Sequence, residues 1–221
     1  VTYLFEGAML HRDSTGVVQR IEPGAINWMT AGRGIVHSER TPEDLRGQVR
    51  RSHGLQLWAA LPVDDEEMAP SFTHTPASAL PCFETGGATV RVLIGEAFGH
   101  VSPVLTRSPT LYLDITLRAG AELPLPPATE RALYSVDAPF SLDDEDLPAH
   151  RMVVLHEGEQ PMLRARVGAR VVLIGGQPLG RRHMVWNFVS SHPERIVKAQ
   201  DDWREQRFEP VPGETEYIPL P

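Results

Sequence analysis

The chain contains 221 residues, with 29 acidic and 21 basic side chains and a formal net charge of −8. This negative balance argues against attraction to nucleic-acid phosphates, and no apolar run approaches the about 20 residues of a membrane-spanning helix. The one cysteine, Cys82, excludes an internal disulfide framework and is typical of a reducing compartment. We therefore expect a cytoplasmic protein with no direct nucleic-acid or membrane partner.

The predicted elements are mostly short strands. Twenty prolines and eighteen glycines separate β-prone runs, which is typical of a sandwich or barrel with few helices. After a glycine-rich turn, residues 28–39 read WMTAGRGIVHSE, and residues 35–40 form a candidate strand. Side chains alternate along a strand, so His37 and Glu39 would lie on one face. This pair favours a divalent transition metal, although a lone His-x-Glu also arises by chance.

Later segments predict a surface excursion and two longer strands. Residues 62–79 are acidic and contain prolines, which indicates a segment on the surface. Residues 111–117 alternate between apolar and more polar side chains, as a half-buried strand does. Residues 170–174 are nearly all apolar, which indicates a strand covered on both faces. The two strand-rich halves are expected to meet near residues 102–109.

One helix is predicted close to the C-terminus, at about residues 192–206. Ser191 and Glu194 fit a capping box at its start, and Trp203 falls on its apolar face as a core anchor. The tail from 209 to 221 contains four prolines and is expected to run extended across a neighbouring surface.

Residues 28–39 also resemble a landmark of the pirin family, which belongs to the cupin superfamily. Further blocks resemble the same family in the same order, at residues 4–9, 11–16, 53–58, 95–99, 111–114 and 175–179. The resemblance covers nearly the whole chain. It implies an all-β fold of two jelly-roll (cupin) barrels side by side, with one C-terminal helix.

The two expected barrels are assigned to residues 1–104 and 105–221. The first is an N-terminal cupin domain that is expected to bind metal and to lack its first strands in this sequence. The second is a C-terminal cupin domain that ends in the helix and the extended tail. It is expected to be metal-free, because residues 126–131 read PPATER where a metal-binding cupin would show a histidine pair.

The resemblance also implies a ligand set for a mononuclear metal, usually iron. In pirins, a His-x-His pair and the His and Glu of a downstream His-Ser-Glu segment hold the ion. His37 and Glu39 match the second pair, and two further histidine ligands are expected upstream of Val1. Fe(II) is the family expectation, while Mn, Ni, Cu or Zn would suit the same donors. No organic cofactor is expected.

The function that this resemblance implies is a quercetin 2,3-dioxygenase type of oxidoreductase. Its substrates would be dioxygen and an aromatic flavonol or enediol. Glu39 would act as a ligand and as the catalytic proton acceptor, and His53 and Gln56 are candidate substrate-binding residues. Satisfied polar groups within a sheet would explain those two residues equally well. Turn formation alone explains His11 and Asp13, which precede a Ser-Thr-Gly sequence.

Two other functions remain open from the sequence. Other pirins bind transcription factors or metabolic enzymes, so the protein could be a non-enzymatic, redox-sensitive regulator with a protein partner. It could also be a cupin whose substrate is unrelated to flavonols, because one barrel supports many chemistries. Whether the protein is an enzyme is therefore uncertain at this stage.

Overall fold

A computed structural model describes all residues from Val1 to Pro221. The first seven strands are β1 (Thr2–Glu6), β2 (Met9–Asp13), β3 (Val18–Ile21), β4 (Ile26–Thr30), β5 (His37–Arg40), β6 (His53–Gln56) and β7 (Ser71–Thr75). The next twelve are β8 (Cys82–Thr85), β9 (Ala88–Ile94), β10 (Glu96–Ala97), β11 (His100–Val101), β12 (Thr110–Leu117), β13 (Ala121–Pro124), β14 (Glu130–Ser135), β15 (Phe140–Leu142), β16 (Glu145–Leu147), β17 (Met152–Leu155), β18 (Met162–Ala165) and β19 (Ala169–Gly176). The chain continues with β20 (His183–Val185), β21 (Phe188–Ser190) and the helix α1 (Pro193–Arg204). Short 3-10 turns lie at Glu43–Leu45, Val63–Asp65 and Ala77–Ala79.

The chain divides into two compact units. Unit 1 combines Val1–Ala77 with Leu179–Pro221, and unit 2 is Ser78–Pro178. This division differs from the expected boundary at residue 104, for two physical reasons. Strand β9 hydrogen-bonds along β12, so it belongs to the sheet of unit 2. The helix α1 and the tail bind instead to strands and loops of unit 1.

Unit 1 consists of two antiparallel sheets that face each other, and a β20–β21 hairpin. One sheet has the strand order β6-β1-β4-β7, and the other has the order β3-β2-β5. Leu4 of the first sheet packs with Ile21 of the second, beside Ala25 and the partly buried Met9. This apolar cluster holds one end of the sandwich together, and polar side chains occupy the space beyond it.

Unit 2 pairs a six-stranded sheet with a four-stranded one. The strand orders are β17-β14-β19-β12-β9-β8 and β13-β18-β15-β16. The alternation predicted over residues 111–117 is confirmed, because Leu111, Leu113, Ile115 and Leu117 all belong to the buried core. The strand is not half-buried, however, because Tyr112 and Asp114 on its other face are also buried. Asp114 accepts a 2.8 Å hydrogen bond from Nε of Arg170, which compensates for its burial.

Helix α1 forms where the sequence predicts it, but its predicted capping box is wrong. His192 precedes the first helical turn and makes no capping hydrogen bond through its side chain. The hydroxyl of Ser191 instead donates a 2.8 Å hydrogen bond to Glu66. The carboxylate of Glu66 therefore binds the Ser191 hydroxyl that was predicted to cap the helix.

The C-terminal tail forms no regular element, as predicted, and returns to strand β5. The Glu214 carboxylate accepts 2.9 Å hydrogen bonds from the Ser38 hydroxyl and from Nη2 of Arg40. Trp203 of α1 is partly buried, and its indole N–H donates a 2.8 Å hydrogen bond to the carbonyl of Ile218. The all-β prediction with one α-helix is confirmed, and that helix is too short and polar to cross a membrane.

Candidate metal centre

His37 and Glu39 lie on strand β5 with their side chains on the same face, because they are two positions apart. Strand β2 runs antiparallel beside β5 and places Asp13 opposite His37 and His11 opposite Glu39. Directly opposite residues of an antiparallel pair share a face of the sheet. Two imidazoles and two carboxylates therefore line the inner face of this sheet.

Asp13 is completely buried, and hydrogen bonds hold both of its carboxylate oxygens in place. Its Oδ1 accepts hydrogen bonds from the Thr15 amide (2.9 Å), the Thr15 hydroxyl (2.6 Å) and the Val17 amide (3.3 Å). Its Oδ2 lies 2.9 Å from Nε2 of His11. Burial alone would raise the pKa of the Asp13 carboxyl, but these hydrogen bonds outweigh it and leave the pKa below its ordinary value. Asp13 is thus a carboxylate that closes the β2–β3 turn and orients His11.

His37 packs against His11. Their rings are stacked, with centroids 5.7 Å apart. The His11 ring also stacks on the ring of Phe72, with centroids 4.2 Å apart. Neighbouring groups desolvate the His37 imidazole and lower its pKa, although the residue keeps an exposed surface at the rim of the sheet, and the negative charge of Glu39 only partly offsets this effect. His37 is therefore neutral near pH 7, which is the form of histidine that binds metal ions.

The carboxylate of Glu39 is held by donors from the facing sheet. Its Oε1 accepts a 3.3 Å hydrogen bond from the hydroxyl of Thr2, and its Oε2 accepts a short one from the amide of Gln56. The carboxylate is therefore oriented before any ligand arrives.

A polar row crosses the sheet that faces β5. Gln56, Thr2, Asn27 and His74 are successive cross-strand partners on β6, β1, β4 and β7. Gln56 and Thr2 bond to Glu39, and the amide oxygen of Asn27 lies 2.7 Å from Nδ1 of His74. Thr2 and Asn27 are buried, so their polar groups line the interior of unit 1 rather than its surface.

An apolar pair lies beside this row on the same face. Met29 and Phe72 are cross-strand partners on β4 and β7. Each is two positions from a member of the polar row, Asn27 or His74, so all four side chains share one face. Because Phe72 also stacks on His11, this apolar pair borders the imidazoles of the opposite sheet.

The structure brings together three of the four predicted site residues. His37, Glu39 and Gln56 converge, whereas the ring of His53 lies edge-on against Phe5, with centroids 5.1 Å apart. His53 and Gln56 are three positions apart on β6, so their side chains leave opposite faces of the strand.

Sequence reasoning assigned His11 and Asp13 only to a turn and overlooked Asn27 and His74. A signal for the first two was present, because His11-x-Asp13 repeats the spacing of His37-x-Glu39 on a neighbouring strand. For the other two no local signal exists, since Asn27 and His74 are 47 residues apart and meet only through strand pairing.

The residues present suit part of a metal site. His37 offers a neutral nitrogen and Glu39 an oriented carboxylate, which are donors that divalent transition metals accept. No group of three or more His, Cys, Asp or Glu side chains in the chain is arranged to hold a metal ion. These residues therefore offer a metal ion two ligands, which is the number that the family resemblance assigns to the His-Ser-Glu segment.

Two strand-rich units and one His-x-Glu pair on a shared strand face define the class of this protein: a two-cupin protein with one candidate metal centre. Two family profiles match the chain, "Pirin" over residues 1–59 and "Pirin C-terminal cupin domain" over residues 112–209. The chain belongs to the pirin family, as its sequence blocks predict.

Individual relatives agree with this assignment. The chain is 44% identical over 224 residues to a pirin-like protein of Caulobacter vibrioides, covering 100% of the chain and 77% of that protein. It is 36% identical over 208 residues to a Pseudomonas aeruginosa protein named as a candidate quercetin 2,3-dioxygenase, covering 92% and 64%. A crystal structure of quercetin 2,3-dioxygenase from Acinetobacter baumannii matches with a TM-score of 0.90 and 33% identity, covering 100% and 74%. The predicted cupin fold class is confirmed.

Proposed function

We propose that this pirin is a mononuclear iron protein and a dioxygenase of the quercetin 2,3-dioxygenase type, acting on a flavonol or enediol. One observation carries the proposal: the imidazole of His37 and the oriented carboxylate of Glu39 lie on one face of β5, opposite a row of polar side chains. The relatives named after quercetin 2,3-dioxygenase support the substrate class.

His37 and Glu39 would hold the ion together with two further histidine ligands, the number that the family resemblance implies. A bound divalent ion supplies a Lewis acid for the hydroxyl of the substrate and redox chemistry toward dioxygen. Iron is the proposed metal, and Mn, Ni, Cu or Zn would fit the same donors.

Glu39 acts first as a ligand in this proposal. A carboxylate bound to a cation is a weak base, so the ligand role and the proton-acceptor role of Glu39 would exclude each other at any one moment. Gln56 and Thr2 would orient the carboxylate in either role, because both donate hydrogen bonds to it. Of the two candidate substrate-binding residues, Gln56 is therefore the one that contacts a candidate metal ligand, Glu39. His53 remains a predicted substrate contact without a part in this scheme, since its ring lies against Phe5.

Metal analysis tests the site. Full-length protein should contain about one metal ion per chain, and His37→Ala and Glu39→Ala should each lose most of it. His192→Ala and Glu194→Ala are matched controls, because these residues have the same His-x-Glu spacing but lie largely exposed at the start of α1. Unchanged metal content in the site variants would remove the assignment.

Turnover tests the reaction. Metal-loaded protein mixed with quercetin under nitrogen and then exposed to air should bleach the flavonol and release carbon monoxide. Bound metal without consumption of any flavonol or enediol would contradict the dioxygenase.

Bound metal without turnover of any flavonol or enediol would favour a redox-sensitive regulator with a protein partner. One contact supports this alternative. Strand β5 carries the candidate ligands on one face, and on the other face Ser38 and Arg40 bind the C-terminal tail. A change at the metal could thus reach the surface. Equal recovery of partners by ferrous and ferric protein would contradict it.

A further inference from the structure

Asn27 and His74 form a hydrogen-bonded pair on the inner face of unit 1, with 2.7 Å between the Asn27 amide oxygen and Nδ1 of His74. An amide oxygen can only accept, so Nδ1 of His74 donates and carries the ring proton. Burial lowers the pKa of His74, which keeps the imidazole neutral near pH 7. Its Nε2 therefore presents a lone pair.

No group of the protein donates to this lone pair. The hydrogen bond to Asn27 involves Nδ1 alone, and His74 makes no ion pair. His74 is only partly buried, whereas its cross-strand partner Asn27 is 4% exposed. The buried amide thus fixes the tautomer and leaves Nε2 of a partly exposed ring as a hydrogen-bond acceptor beside the polar row.

The distance from this acceptor to the candidate metal ligands suits an aromatic molecule. His74 lies two strands from Thr2, whose hydroxyl reaches Glu39, and this separation is roughly 10 Å at the usual spacing of strands. Met29 and Phe72 occupy the same face beside the pair. A planar ring could therefore lie along an apolar border between Glu39 at one end and His74 at the other.

We propose that Asn27 and His74 form a distal subsite that recognises a phenolic hydroxyl on the part of the substrate remote from the metal. The hydroxyl donates to Nε2 of His74, and the ring that carries it packs against Phe72 and Met29. This inference rests on the proposed function and narrows its substrate class to polyhydroxylated aromatic compounds. A site built to bond a hydroxyl discriminates against analogues that lack it, because they leave its acceptor without a partner.

Binding of two flavonols tests the subsite. Quercetin and 3-hydroxyflavone share the 3-hydroxyl and the 4-carbonyl, but only quercetin carries hydroxyls on its outer rings. Dissociation constants are measured under nitrogen, by quenching of tryptophan fluorescence, with full-length metal-loaded protein. Wild-type protein should bind quercetin about 5-fold or more tightly than 3-hydroxyflavone, the net effect of about one hydrogen bond to a partly buried group.

His74→Phe should reduce this preference to within about 2-fold while leaving the affinity for 3-hydroxyflavone and the metal content unchanged. His74→Gln, which retains an acceptor oxygen, should restore part of the preference. His192→Phe is the matched control on an exposed histidine and should behave as wild type.

The outcomes separate this inference from the proposed function. If both flavonols bind and the preference for quercetin survives in His74→Phe, the subsite is overturned and the proposed function stands. Equal weakening of both ligands in His74→Phe and His74→Gln would show a structural role and would also overturn it. If neither flavonol binds wild-type protein, the proposed function fails and the subsite fails with it.

Discussion

The carboxylate of Glu214 accepts a 2.9 Å hydrogen bond from the hydroxyl of Ser38, the residue that stands between His37 and Glu39. It also accepts a 2.9 Å bond from Arg40 on the same strand. Hydrogen bonds from Arg40 and Ser38 hold the pKa of Glu214 below its ordinary value, so the contact is ionic at neutral pH. The C-terminal tail thereby fixes the outer face of the strand whose inner face carries the candidate ligands.

Removing this contact should loosen β5. We expect Glu214→Ala to lower the free energy of unfolding by about 1 kcal/mol, the usual value of a charge-assisted hydrogen bond near the surface. It should also weaken metal binding several-fold, because His37 and Glu39 lose their common support. Urea unfolding and competition with a chelator measure the two effects. Glu216→Ala is the control, since Glu216 reaches only Arg40 and its side chain is 72% exposed. Equal behaviour of the two variants would contradict a positioning role for the tail.

Substitution of Gln56 should lower metal affinity, although this residue is exposed. Gln56→Leu removes a donor from Oε2 of Glu39 but retains the strand, so we expect metal affinity to fall about 10-fold or more. Gln48→Leu is the matched control, because the Gln48 amide donates to a backbone carbonyl in an exposed loop. Chelator competition on both variants checks the prediction, and equal affinities would show that Glu39 needs no support from the facing sheet.

Asp13 should contribute to stability more than any exposed aspartate. Asp13→Ala removes the buried acceptor of the Thr15, Val17 and His11 donors, and we expect a loss of about 3 kcal/mol. Asp44→Ala is the control, because the Asp44 side chain is 60% exposed and pairs only with an exposed arginine. Urea unfolding of both variants measures the difference. A loss from Asp13→Ala no larger than that of the control would contradict the structural role.

The strand that holds the candidate ligands was predictable because its signal is local. Alternation alone places His37 and Glu39 on one face, and alternation likewise identifies the buried leucines of β12. The partners of these residues depend on which strands pair and in which register, and nothing near them in sequence specifies that. His11 faces Glu39 only because β2 lies antiparallel to β5 in one register.

Long-range contacts also explain the errors. The sequence around Ser191 satisfies the pattern of a capping box, yet Glu66 binds both its amide and its hydroxyl from 125 residues away. Tyr112 and Asp114 have the alternation of a half-exposed strand, yet both are buried, and Asp114 is compensated by Arg170 on the neighbouring strand. In each case a tertiary partner outweighed the local preference.

Glu66 should make the stability of unit 1 sensitive to acid. It forms an ion pair with Arg182, with 2.6 Å between Nε and Oε1, and both side chains are largely buried. Burial acts to raise the pKa of Glu66, but hydrogen bonds from Ser191 and Ser190 and the charge of Arg182 outweigh it and lower the pKa below 4.5. A carboxyl group whose folded pKa is lowered stabilises the protein above its unfolded pKa, and this stabilisation is lost as the pH falls through the folded value.

We therefore expect Glu66→Gln to lower the free energy of unfolding by about 2 kcal/mol at pH 7, since it breaks a buried ion pair but retains the shape of the side chain. The difference from wild type should stay constant down to about pH 5.5 and shrink below about pH 4.5 as Glu66 becomes protonated. Glu67→Gln is the control: its side chain is 58% exposed in its pair with Arg195, so its difference should be small at every pH. Urea unfolding measured at several pH values tests this, and a Glu66→Gln difference that is the same at pH 4 and pH 7 would show that the charge of Glu66 contributes nothing.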